Sequence, residues 1–136
     1  MLSRFQAQLL SILRIIAAFV FVPHGLQKVF GMFGGLPANL PANVATMLHV
    51  AGWMETVGGG LILLGLFTAP VAFVLSGEMA AAYFIGHVSR NGQILVPMVN
   101  QGEPAVLYCF IYLYLAASGG GAWSLDRVFG RDKTGR

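Results

Sequence analysis

The sequence predicts an all-α, polytopic membrane protein folded as a bundle of four transmembrane helices. Two observations carry that reading. Charged residues make up 10% of the 136-residue chain and hydrophobic residues 57%, whereas an ordinary soluble domain is about 25% charged. A soluble fold this small has a high surface-to-volume ratio and must clothe its surface with polar groups. Eight Lys/Arg and five Asp/Glu cannot do so. The second observation is distribution: mean hydropathy is +0.74, and the apolar residues fall into four runs divided by Pro-, Asn- and Gly-bearing loops.

One domain over residues 1–136 is expected, with helices at approximately 9–30, 48–67, 69–88 and 104–120. Crossing a ~30 Å hydrocarbon core takes ~20 helical residues at 1.5 Å each. The first three runs reach that length. The fourth does so only if Gly119–Trp123 prolongs it or the helix stands near-vertical. Arg14 interrupts the first run and no small-x-small cleavage site follows, so a retained helix is expected rather than a signal peptide. Pro37 to Asn43 reads as a loop, Pro70 as the first turn of the third helix, and Ser89 to Glu103 as a longer polar loop. No internal repeat stands out.

Half of the basic residues, Arg127, Arg131, Lys133 and Arg136, lie in the C-terminal tail, and Arg4 precedes the first helix. By the positive-inside rule both termini are then cytoplasmic. The same clustering does not make a phosphate-binding patch, so nucleic acid is not an expected partner; the lipid bilayer is. Cys109 is the only cysteine, which excludes an intrachain disulfide and a C-x-x-C redox pair.

Ionisable groups inside transmembrane helices cost ~2.5–3.5 kcal/mol each on insertion scales, so they tend to be paired and functional. Glu55 is expected about 10 Å below the outer end of the second helix at 1.5 Å per residue, and Glu78 near the middle of the third. His24 and Lys28, four residues apart, share one face of the first. His87, Arg90, Asn100 and Glu103 mark the same outer end. Glu55 therefore has His24 or Lys28 within reach, and Arg14 is the expected partner of Glu78. Glu78 and His87 are half a turn out of phase on a regular helix and can face one site only if the helix ends or bends near Gly86. Taken singly, Lys28 and Arg90 read as basic residues snorkelling to the interface. Glu55 is hardest to explain so, because an acid at that depth needs a charged partner, a shifted titration or water. Gly52, Glu55 and Gly59 line one face, a helix-packing signal that holds Glu55 on the protein side. His24 and His87 also raise a bis-histidine haem, but one such pair is a weak signal and haem is not expected. Nor is a metal, since no Cys/His ligand spacing is present.

These residues resemble a known family. Arg14-Ile15 and Phe19-Val20-Phe21-Val22-Pro23-His24-Gly25-Leu26-Gln27-Lys28-Val29-Phe30-Gly31 resemble the first helix of the DoxX family. Gly52-x-x-Glu55-x-x-Gly58-Gly59, ending in Leu64-Gly65-Leu66-Phe67-Thr68, resembles its second; Glu78-Met79 and Asn100-Gln101-Gly102-Glu103 fit the later parts. The resemblance implies a small four-helix protein of the bacterial inner membrane. The related DoxD-type proteins are subunits of a thiosulfate:quinone oxidoreductase, and members are often labelled oxidoreductases on that basis.

The expected function is a membrane component of a quinone-linked oxidoreductase system with a polar pocket near the outer membrane face. Glu55 and His24 are its catalytic candidates, since quinone reduction consumes protons as well as electrons. Lys28, Glu78, His87 and Arg14 are the candidate ligand-holding residues. The chain carries no electron carrier of its own, which calls for a soluble redox partner protein or a bound cofactor, with quinone the candidate. The rival expectation is a non-catalytic membrane scaffold or small-solute carrier.

Overall fold

The computed structural model describes residues 2–131; Lys133 and Arg136 of the basic tail lie outside them. Every regular element among these is helical. A 3-10 turn at Leu2–Phe5 leads into α1, Gln6–Phe30. Helix α2 runs Ala42–Leu64 and α3 runs Thr68–Asn91, and these with the α1 segment are the three helices long and apolar enough to cross a membrane. A single turn, α4 at Pro97–Asn100, precedes α5 at Glu103–Ser118, and a last turn, α6, covers Leu125–Val128.

The boundaries follow backbone chemistry. Helices α1 and α2 stop at Gly31 and Gly65, both in the left-handed region that favours glycine. At the far end of the chain the sequence expectation fails. Gly119 to Trp123 does not prolong the last helix, because Gly119 and Gly121 take φ 77° and 79° and turn the chain back onto α1. There Ala7 O accepts the Ala122 N–H at 3.0 Å and Ser11 Oγ accepts the Trp123 N–H at 3.0 Å. Helix α5 therefore keeps 16 residues, about 24 Å at 1.5 Å per residue.

Two long helices are not regular. Met54–Gly58 in α2 and Ala82–Val88 in α3 are π-helical, so each admits extra residue into a turn, a feature that recurs at functional sites. Pro23 sits inside α1 and leaves the Phe19 carbonyl without its usual N–H partner.

Helix α1 packs along α2, α2 meets α3, and α3 packs most extensively on α5. The contact that would close the ring, α5 on α1, is the sparsest of these. The core lies between them, with Phe21, Ile62, Leu75, Tyr112 and Leu115 essentially inaccessible. The outside is the reverse of a soluble protein: Phe19, Phe73 and Phe110 are 68%, 66% and 64% exposed. Side chains that large and apolar, spread over every helix, call for lipid as the surrounding solvent.

Candidate functional site

Two polar clusters are buried in the bundle. One lies toward the end bearing the loops 31–41 and 92–102, the other toward the end bearing the chain termini.

The loop-end cluster starts at the crossing of α1 and α2. Gly25 and Gly52 let the two backbones nearly touch: a Cβ on Gly25 would lie 2.5 Å from Thr56 Oγ1, and one on Gly52 would lie 2.7 Å from Lys28 Cβ. This close approach sets Lys28 against Glu55. The Lys28 ammonium donates to Glu55 Oε1, the only salt bridge among the described residues. Glu55 is 1% exposed, and its Oε2 is buried with no partner. The Glu78 carboxyl of α3 faces the Glu55 carboxyl, and Glu78 Oε2 is likewise unpartnered. Two carboxyls thus lie near one ammonium, which is bonded to Glu55 alone. In a low-dielectric interior a surplus charge costs several kcal/mol, so such a cluster calls for a proton, a cation or a polar ligand. The Tyr112 hydroxyl of α5 is a further buried oxygen without a partner.

Glu55, Lys28, His24 and His87 line one cavity of about 270 Å³, walled on the α5 side by Ala105 and Tyr108. The π-helical stretch of α3 sets His87 on the cavity side with Met79 and Ala82, whereas Glu78 is not among the residues lining the cavity. His87 Nδ1 lies 3.1 Å from the Asn100 carbonyl. Asn100 is itself buried and fixes its loop, donating to Ile94 O at 2.8 Å and accepting from Gly102 N at 2.8 Å. That anchoring delivers Gln101 to the cavity. Gln101 holds φ 61°, a strained conformation for a non-glycine residue that tends to collect at ligand sites. His24 stands at the rim, exposed; Arg90 and Glu103 are exposed away from the cavity.

Arg14 does not belong to this site, and its expected pairing with Glu78 is wrong. It sits at the termini end, fully buried, and its guanidinium donates to four carbonyls: Nε to Gly120 at 2.9 Å, one terminal nitrogen to Ile62 and Leu63 at 2.5 and 2.6 Å, and the other to Trp123 at 2.7 Å. The α2 end and the Gly119–Trp123 turn offer bare carbonyls closer than any carboxylate on α3. Charge balance comes from Asp126 of α6, whose two oxygens accept from Phe67 N and Thr68 N at 2.8 and 2.7 Å. Asp126 was not foreseen as a partner; the one hint is Ser124, whose hydroxyl caps the turn that carries it. Tyr108 and Tyr112 were also missed as site residues, because nothing in a single apolar run says which ring faces inward, and Gln101 was missed because its place depends on how its polar loop folds back.

The donors are not arranged for a metal: no group of three or more His, Cys, Asp or Glu that could hold one occurs among the described residues. What converges instead is the Glu55 carboxyl, the Lys28 ammonium and the His24 and His87 imidazoles around one cavity, with the Glu78 carboxyl next to that of Glu55.

Comparison with known proteins places the chain. The DoxX family profile matches residues 9–88. An uncharacterized protein of Haemophilus influenzae is 42% identical over 128 residues, 94% of this chain and 96% of the relative. The "Inner membrane protein YphA" of Escherichia coli is 32% identical over 127 residues, 88% of this chain and 89% of its own. The "Putative oxidoreductase CatD" of Bacillus subtilis is 30% identical over 129 residues, 91% and 90% of the two chains. No solved structure matches significantly. From the profile and these near full-length relatives, the chain belongs to the DoxX family.

Proposed function

We propose that this chain is a single domain over residues 1–136 that crosses the bacterial inner membrane four times, with both termini in the cytoplasm, and serves as the membrane component of a quinone-linked redox system. The basic tail supports the orientation, and the name of the Escherichia coli relative supports the membrane. The name of the Bacillus subtilis relative supports redox chemistry.

One observation carries the site assignment: Glu55, 1% exposed, is tied to Lys28 through one oxygen and keeps the other free beside Glu78, at the wall of a ring-sized cavity. In this reading a quinone ring enters the cavity and gains two electrons from a redox partner protein. Each ring carbonyl oxygen takes one proton, one from the Glu55–Glu78 pair and one by way of His24 at the rim. Lys28 and His87 orient the head group.

The test is binding of a short-tailed quinone to the purified protein. Glu55→Gln keeps the shape and removes the acid, and should weaken binding about tenfold or more. Unchanged affinity in the variant, or no binding to the parent, overturns the reading. The rival assignment as a scaffold or solute carrier would gain from an inactive protein that copurifies with a soluble partner, or from anion uptake into proteoliposomes lost in Lys28→Ala.

A further inference from the structure

The seam between α1 and α5 carries a second cavity, of about 410 Å³. On α1 its wall is Leu13, Ile16, Ala17 and Val20; on α5 it is Pro104, Leu107, Tyr108 and Ile111, with Glu103 the one charged residue of the lining. Each set has the i, i+3, i+4, i+7 spacing of a helix face that ordinarily packs against its neighbour. Here the two stripes face each other and leave a groove, because Phe21, one residue beyond Val20, reaches α5 first. Its ring meets Tyr108 and Tyr112 at 4.9 and 5.0 Å between centroids and props the helices apart. The seven helical steps from Leu13 to Val20 make the groove about 10 Å long. It opens to the lipid side, since Ile16, Val20 and Leu107 are 56%, 50% and 63% exposed.

Pro104 and Tyr108 line both this groove and the polar cavity. An apolar trough at membrane depth therefore adjoins a polar chamber, with the Tyr108 ring between them. The geometry points to a lateral entrance: the α1–α5 groove holds the long apolar tail, prenyl or alkyl, of the same molecule whose polar ring occupies the Glu55 cavity. A ligand of that build fits both spaces at once and arrives from the bilayer without crossing water. This inference rests on the quinone reading of the polar cavity and adds the route and the tail site.

Protein in lipid nanodiscs is titrated with two quinones sharing one head, one with a multi-prenyl tail and one with almost none. Val20→Trp and Leu107→Trp fill the groove from its exposed side, and Phe73→Trp on another lipid-facing surface is the control. The long-tailed quinone should bind the parent more tightly. The groove variants should lose about tenfold in its affinity and leave the short-tailed quinone within about twofold, with Phe73→Trp like the parent. Unchanged long-tail affinity in both groove variants overturns the tail site while leaving the head site standing. Equal weakening of both quinones, or loss of the long-tail advantage when excess phosphatidylglycerol is added, also overturns it. Failure of both quinones to bind the parent overturns the head site and the entrance together.

Discussion

Arg14 and Glu55 are both ionisable, both buried, and both sit inside apolar helices, yet they are completed in different ways. Arg14 meets four carbonyl oxygens from the α2 end and the Gly119–Trp123 turn, and Asp126 balances its charge from a turn that also takes up the N–H groups of Phe67 and Thr68. Gly65, at φ 68°, leaves the room: a Cβ there would lie 2.9 Å from Arg14 Cζ. Little is left for a ligand to contact. Glu55 has one partner, an unpartnered oxygen, a second carboxyl beside it and a cavity in front. A buried charge that is fully satisfied holds a structure together; one left incomplete costs stability, a cost that binding can recover. The contrast teaches that depth and charge alone do not mark a site. Satisfaction does.

The largest expected effect lies at the Arg14 knot. Arg14→Met keeps the apolar stem but orphans four carbonyls and leaves Asp126 uncompensated. It should destabilise the protein by about 3–5 kcal/mol, read as midpoint loss in detergent unfolding. A variant as stable as the parent would break the comparison. Next, Asp126→Asn should cost about 1.5–3 kcal/mol through weakening of its charge-assisted bonds to Phe67 and Thr68, leaving quinone affinity unchanged in whatever fraction stays folded. A loss of affinity at full stability would mean that the two clusters are coupled. Glu78→Gln sharpens the contrast by its sign. It removes the carboxyl that has no ammonium of its own, so stability should hold or rise by up to about 1 kcal/mol while proton-coupled quinone reduction falls; a strongly destabilised variant would show Glu78 to be as structural as Arg14. The smallest effect is expected from Cys109→Ser. The Cys109 sulfur lies 3.6 Å from Ser76 Oγ and the side chain is only partly buried against the core, so the change should cost no more than about 0.5–1 kcal/mol with activity intact. Loss of activity would reinstate the thiol as a participant.

Much of the loop-end cluster was legible in the sequence. The four-residue spacing of His24 and Lys28 and the Gly52-x-x-Glu55 face bring α1 and α2 together, and both follow from helical periodicity. The half-turn offset between Glu78 and His87 was visible too: α3 is π-helical at Ala82–Val88, yet of the two only His87 lines the cavity. The partner of Arg14 was not legible. Its acceptors are backbone carbonyls, which every residue carries and no sequence pattern advertises. Nor was it legible whether Gly119-Gly120-Gly121 continues the last helix or leaves it short, because glycine can enter a helix as well as the left-handed turn that it forms here.

The sequence by itself determined that this chain is helical and apolar beyond what water can solvate, since composition and periodicity act locally along the chain. It also determined which ionisable groups had to be compensated. Only the tertiary structure decided who compensates whom: Lys28 for Glu55, carbonyls and Asp126 for Arg14, and no full complement for Glu78. The physical reason is that pairing depends on how closely backbones approach and which face a turn presents, set at Gly25 and Gly52, at the two π-helical stretches and at Gly119–Trp123. These are properties of helices meeting in space, not of any one helix.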